Sequence, residues 1–109
     1  MHELSIVQSL IDEVLDKTGG RAVSSVNLRI GPLSGVLPDA LRFCFDVASA
    51  GTALAGARLR IDEPQGRGRC RTCGDHFALT DIFLLCPCGS ADVDVVAGRE
   101  LRLVSVEVA

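Results

Sequence analysis

Four cysteines in two tight pairs, Cys70-Arg71-Thr72-Cys73 and Cys86-Pro87-Cys88, constrain this chain more than any other feature. Twelve residues, 74 to 85, separate the pairs, a loop length that brings two cysteine turns around one tetrahedral ion. Four thiolates fill the coordination of Zn(II) and leave no position for water, so the site is expected to be structural rather than catalytic. A redox dithiol and a set of buried structural cysteines are the competing readings. Redox exchange needs only one pair, and here there are two. The second pair is one residue shorter than Cys-x-x-Cys, which predicts a strained turn relieved by Gly89. His76, inside the loop, is an alternative ligand should the short turn fail to supply both sulfurs.

The staple matters because the chain is small. With 109 residues, 48% of them hydrophobic, it can bury one modest core, and a second unit needs a metal or a cross-link to hold it. A net charge of -3 gives no general attraction to phosphate backbones or anionic lipid, so neither nucleic acid nor membrane is expected as a partner. Arg67, Arg69 and Arg71 crowd the cysteines, where their charge offsets that of the thiolates. Glu3, Gln8, Asp12 and Glu13 interrupt the apolar sequence at the start, which argues against a signal peptide and for a cytoplasmic location. Five cysteines in a reducing compartment favour metal over disulfides. The fifth, Cys44, falls on the apolar side of a helical pattern and is expected in the core.

Leu4, Val7, Ile11 and Val14 recur at helical spacing from residue 3 until Thr18-Gly19-Gly20. Val26, Leu28 and Ile30 then alternate with Ser25, Asn27 and Arg29, the period of a strand with one wet face. A second helix is expected after Pro38, with Leu37, Leu41, Cys44, Phe45 and Ala48 inward, Asp39, Arg42, Asp46 and Ser49 outward, and Gly51 as its stop. Residues 57 to 61 read as a short strand, and residues 64 to 68 as a glycine-rich boundary before the cysteines. Residues 92 to 97 and 101 to 108 read as strands, the last returning to the first lobe's sheet. The predicted class is α+β, a small helix-and-antiparallel-sheet lobe formed by residues 1–66 plus 98–109, with an inserted zinc-ribbon-like lobe at 67–97.

Met1-His2-Glu3 stands directly before the first helix. The Met1 amine, the His2 amide nitrogen and the His2 imidazole can chelate one ion through a five- and a six-membered ring, which Ni(II) and Cu(II) favour in tetragonal nitrogen fields. By residue type alone, a histidine near a terminus is more often a solvated residue than a ligand. The opening Met-His-Glu-Leu-Ser-Ile, the stretch Asn27-Leu28-Arg29-Ile30-Gly31, the cysteine block and the ending Gly98-Arg99-Glu100-Leu101-Arg102 with Ser105-Val106-Glu107 together resemble the HypA/HybF hydrogenase maturation family over nearly the whole chain.

That resemblance implies a nickel metallochaperone rather than an enzyme, one that cooperates with a nickel-binding maturation GTPase and supplies the large subunit of nickel-iron hydrogenase. It implies Ni(II) at Met1, His2 and Glu3, with His2 giving its side chain and the other two their main chain. The fourth nickel ligand stays open among the Glu3 amide, its carboxylate or a group from elsewhere. It also implies zinc on Cys70, Cys73, Cys86 and Cys88, although the family's second pair is Cys-Pro-x-Cys. A monomer or weak homodimer is expected. The rival reading is a zinc-ribbon interaction module in which His2 is incidental.

Overall fold

The structure, a computed structural model, describes residues 3–80 and 83–109. Along the chain these form α1 (Glu3–Thr18), β1 (Val23–Ile30), α2 (Pro38–Ser49), β2 (Arg58–Asp62), β3 (Gly66–Cys70), β4 (His76–Leu79), β5 (Val93–Ala97) and β6 (Leu101–Val108). The class is the expected α+β.

The first helix starts where its periodicity does. Glu3 in the first turn and Lys17 in the last complement the helix dipole, and Val7, Leu10, Ile11 and Val14 form the buried stripe. At its end Thr18 Oγ1 donates to Val14 O at 2.8 Å, and Gly20 N donates to Leu15 O at 3.1 Å, one of the last four carbonyls that the helix leaves open. Pro38 opens α2, a position where its missing N–H costs nothing. Leu37, expected on the inner face, is instead 67% exposed, because it precedes the helix in extended conformation. Ser49, expected outside, is buried, and its carbonyl accepts from Thr52 Oγ1 at 2.7 Å.

Two three-stranded sheets organise the chain, in the orders β2-β1-β6 and β4-β3-β5. β6 returns to lie antiparallel to β1, as its alternation anticipated. β2 runs parallel to β1, since α2 carries the chain back across the sheet between them. Both helices cover one face of this sheet. There Val26, Leu28 and Ile30 meet Val7, Val14, Leu41, Phe45 and Leu54 in one core. Cys44 packs against the edge of that core. Arg42 Nη1 donates to Leu59 O at 2.6 Å and so ties α2 to β2.

The second sheet contains two strands that the sequence did not announce, β3, whose composition is glycine-rich, and the four-residue β4. In β3 the alternation is carried by Gly66, Gly68 and Cys70 inward and Arg67 and Arg69 outward. A Cβ on Gly68 would lie 2.9 Å from Val93 Cγ1 and 3.1 Å from Phe77 Cζ, so the glycine is what admits those side chains. Leu79 completes this small interior at 3% exposure, whereas Phe83 and Leu85 are exposed. Over the described residues the molecule measures 52 × 21 × 17 Å.

Candidate metal centre

The first cysteine turn hangs from a strand, and the second lies in the loop between β4 and β5. β3 ends on Cys70, whose amide donates to Asp75 O at 2.9 Å, while Gly74 N donates back to Cys70 O at 2.9 Å and rounds the first turn. The second turn is closed in the same manner by Cys86 N to Ser90 O at 2.9 Å and Gly89 N to Cys86 O at 2.8 Å. Gly89 has φ +97°, a backbone region that side-chain-bearing residues rarely enter, so the shortened Cys86-Pro87-Cys88 turn closes on the one residue type suited to it. The Cys73 and Cys88 amides each point at the sulfur that opens their own turn, Cys70 Sγ and Cys86 Sγ, at 3.4 Å.

The four Sγ atoms lie within 4.8 Å of one another, with Cys70 to Cys88 and Cys73 to Cys86 both at 3.7 Å. A tetrahedral zinc with bonds of about 2.3 Å would space its sulfurs about 3.8 Å apart, so the donor set fits that ion closely. Cys70 and Cys86 are buried, and Cys73 and Cys88 stand at the surface. His76 sits on β4 opposite Arg69 and is not among the grouped sulfurs.

Crowding splits the acidities of the thiols. The Cys73 amide, with smaller help from Thr72 and neighbouring thiols, lowers Cys70 to about 6 against the opposing effect of burial. Cys86 is favoured as thiolate by the Cys88 amide, yet burial and the three neighbouring cysteines together push it up to about 12. The Asp75 amide likewise favours ionised Cys73, as does Cys86, but burial together with Cys70 and Cys88 leaves that thiol raised. Several thiolates in so small a volume repel one another, and a divalent cation is what removes the penalty.

Around the sulfurs lies a polar clasp that reading the residues in order did not reveal. Arg71 pairs with Asp92 at 3.0 Å and makes two contacts with Asp94, and its amide donates to Asp92 O at 2.9 Å. The hydrogen bond from Arg71 holds the Asp94 carboxyl below the ordinary range. Thr72 Oγ1 and Ser90 Oγ, 2.8 Å apart, link the two turns directly. The expectation that Arg71 offsets thiolate charge therefore needs revision: its guanidinium is committed to two carboxylates. The Asp92-x-Asp94 spacing at the start of β5 was the available signal, but Arg71 lies twenty-one residues before Asp92.

Of the residues expected at the N-terminus, Met1 and His2 lie outside the described residues. Glu3 is the first residue of α1, and its Oε2 accepts a long hydrogen bond of 3.5 Å from Leu37 N, tethering the helix start to the segment before α2.

Comparisons with known proteins cover the whole chain. A family model described as hydrogenase/urease nickel incorporation, metallochaperone, hypA matches residues 1–108. The hydrogenase maturation factor HypA of Geotalea uraniireducens is 50% identical over 109 residues, 99% of each chain. That of Geobacter metallireducens is 48% identical over 109 residues, again 99% of each. Among solved structures, the solution structure of the nickel metallochaperone HypA from Helicobacter pylori aligns with TM-score 0.65 at 26% identity, over 99% of this chain and 97% of that one. A second HypA solution structure aligns with TM-score 0.67 at 27% identity, over 100% and 97%.

Proposed function

Because this chain belongs to the HypA family of hydrogenase/urease nickel-incorporation metallochaperones, we propose that it binds Ni(II) through Met1, His2 and Glu3 and passes it on for assembly of nickel-iron hydrogenase. A metallochaperone of this kind is not an enzyme; it binds and releases its cargo. The observation that carries the nickel site is the start of α1 at Glu3. Main-chain amides in the first turn of a helix have no intrahelical acceptor, so a metal can displace the Glu3 amide proton without breaking the helix. With the Glu3 carboxylate turned toward Leu37 N, its main chain is the part at hand for the cargo. His2 supplies the imidazole and Met1 its amine.

Cys70, Cys73, Cys86 and Cys88 would hold Zn(II), and zinc there supplies binding energy that orders the two turns, with no open coordination position. The amides of Cys73 and Cys88 orient the sulfurs, and the Arg71 clasp fixes the first turn to β5. The reading divides the chain into a nickel-binding unit, residues 1–66 plus 98–109, and a zinc-binding unit, residues 67–97. It places the protein in the cytoplasm; among the described residues no helix is long and apolar enough to cross a membrane. A maturation factor works with other maturation proteins, here a nickel-binding GTPase and the hydrogenase large subunit.

Equilibrium dialysis of the untagged, zinc-loaded chain against Ni(II), beside a form extended by a few residues before Met1, tests the site. Loss of tight binding on extension is expected. Equal binding in both would eliminate the N-terminal site and leave a zinc-ribbon interaction module.

A further inference from the structure

The helices cover one face of the sheet β2-β1-β6, and the opposite face carries three rows of polar side chains. Register sets Arg58, Ser25 and Glu107 in one row and Arg60, Asn27 and Ser105 in the next. Asp62, Arg29 and Arg102 form the third. A regular β6 would break these rows, because residues 102 and 105 of such a strand point to opposite faces. β6 is not regular. Asn27 pairs with Ser105 and Leu28 with Leu103, so Val104 is an extra, bulged residue. The bulge brings Arg102 onto the face of Ser105 and Glu107, and leaves Leu103 and Val106 on the helix side, opposite buried Leu28 and Val26.

This face is basic in an acidic chain. Four arginines stand in the rows against two carboxylates, whereas the chain has a net charge of -3 and α1 and α2 carry six carboxylates against two cations. Both carboxylates of the face are engaged within it. Asp62 pairs with Arg29 at 3.0 Å. Glu107 accepts from Asn27 Nδ2 at 3.4 Å, and the Ser25 and Asn27 side chains, with the charge of Arg60, hold its carboxyl below the ordinary range. Arg58 and Arg60 are exposed, and among the described residues neither they nor Arg102 form an ion pair. The surplus charge on this side of the lobe is therefore open to an outside anion.

Spacing selects the kind of anion. Arg58 and Arg60 are two positions apart on one strand, so they leave the sheet about 6.6 Å from each other. Carboxylates at alternate positions of an extended peptide leave it at the same interval, and a guanidinium grips a carboxylate through two parallel hydrogen bonds. We propose that this face binds an acidic polypeptide segment in extended conformation, with carboxylates at alternate positions on Arg58 and Arg60 and a further one at Arg102.

The corners of the face alternate in sign, Arg58 and Glu107 ending the first row, Asp62 and Arg102 the third. A carboxylate set over Asp62 or Glu107 is repelled, which fixes the segment's placement and disfavours a uniformly charged polyanion. No aromatic side chain stands in the rows, so the face offers nothing on which a base could stack. The acidic helices on the far side steer an acidic segment toward the arginines.

Fluorescence anisotropy of the full zinc-loaded chain with a labelled (Glu-Ser)6 peptide tests this, beside (Gln-Ser)6 and an oligothymidylate of equal length. The acidic peptide should bind, less tightly as salt rises, and the neutral one should not. Arg58→Glu and Arg60→Glu should each weaken binding roughly tenfold or more. Arg21→Glu, the same change of charge beside the groove between α1 and β6, should leave it nearly unchanged. Asp62→Asn should tighten binding, since it removes a repelling corner and frees Arg29, a gain that no unfolded variant gives. Absence of binding by the acidic peptide at low salt would overturn the proposal, as would an Asp62→Asn that binds no tighter. Equal weakening by Arg21→Glu would overturn it by reducing the effect to net charge. Tighter binding of the oligothymidylate through Arg58 and Arg60 would do so by making this a nucleic-acid surface.

Discussion

His2 is the one side chain in the proposed nickel site, the other donors being main-chain groups, and its loss should be decisive. His2→Ala is expected to abolish tight Ni(II) binding while zinc stoichiometry and circular dichroism stay unchanged. Metal analysis of the dialysed variant checks both, and a parallel loss of zinc would mean that the sites are not separable. The donors must shed protons before they bind, the amine near 7.7–8.0 and the imidazole near 6.5, so affinity should fall by roughly tenfold or more from pH 8 to pH 6. A flat profile in calorimetric titrations would contradict nitrogen ligation. In the other metal site the sensitive residue is not a ligand. Gly89 holds φ +97°, and Gly89→Ala should cost about 1–2 kcal/mol, seen as roughly tenfold easier zinc removal in chelator competition. Unchanged zinc retention would mean that the short turn has another way to close.

At the scale of elements, the two sheets draw their stability from different sources. β1 lies beneath α1 and α2 over a core that includes Leu41, Phe45 and Leu54. β3 has Leu79 and the backbone face of Gly68 instead, and its end is fixed by Cys70. So small an interior does little to offset the ordering of three strands, and a metal on the four cysteines would supply the remainder. Stripping the zinc with a chelator should therefore remove amide protection from β3, β4 and β5 and leave α1, α2 and β1 protected, as read by hydrogen exchange with mass spectrometry. Equal loss of protection in both sheets would show a single cooperative unit.

For the whole molecule the expectation is two separable transitions. Leu41 is fully buried between α2 and the first sheet, and Leu41→Ala should cost about 2–5 kcal/mol. Thermal unfolding of the zinc-loaded variant should show the helical transition lowered while zinc release, followed with a chromophoric chelator, keeps its midpoint. If zinc were released with the helices, the two lobes would be sharing one core. The chain leaves β2 for β3 and returns from β5 to β6, so the cysteine-bearing segment lies between two strands that both pair with β1.

What residue order alone determined here is local. The spacing of the four cysteines picked out residues whose sulfurs the fold brings within 4.8 Å of one another, and the apolar periods of residues 4–15 and 26–30 located α1 and β1, because turn closure and side-chain facing depend on neighbours a few positions apart. The period broke down in β3, where glycine replaces the apolar signal, and at Leu37 and Ser49, where the surroundings outweigh residue type. Only the tertiary structure decided the rest: β2 parallel to β1, the bulge at Val104, the clasp of Arg71 on Asp92 and Asp94, and the polar rows opposite the helices. Each is a pairing between distant segments. Its register is chosen by the packing of whole elements against one another, which no short window of sequence contains.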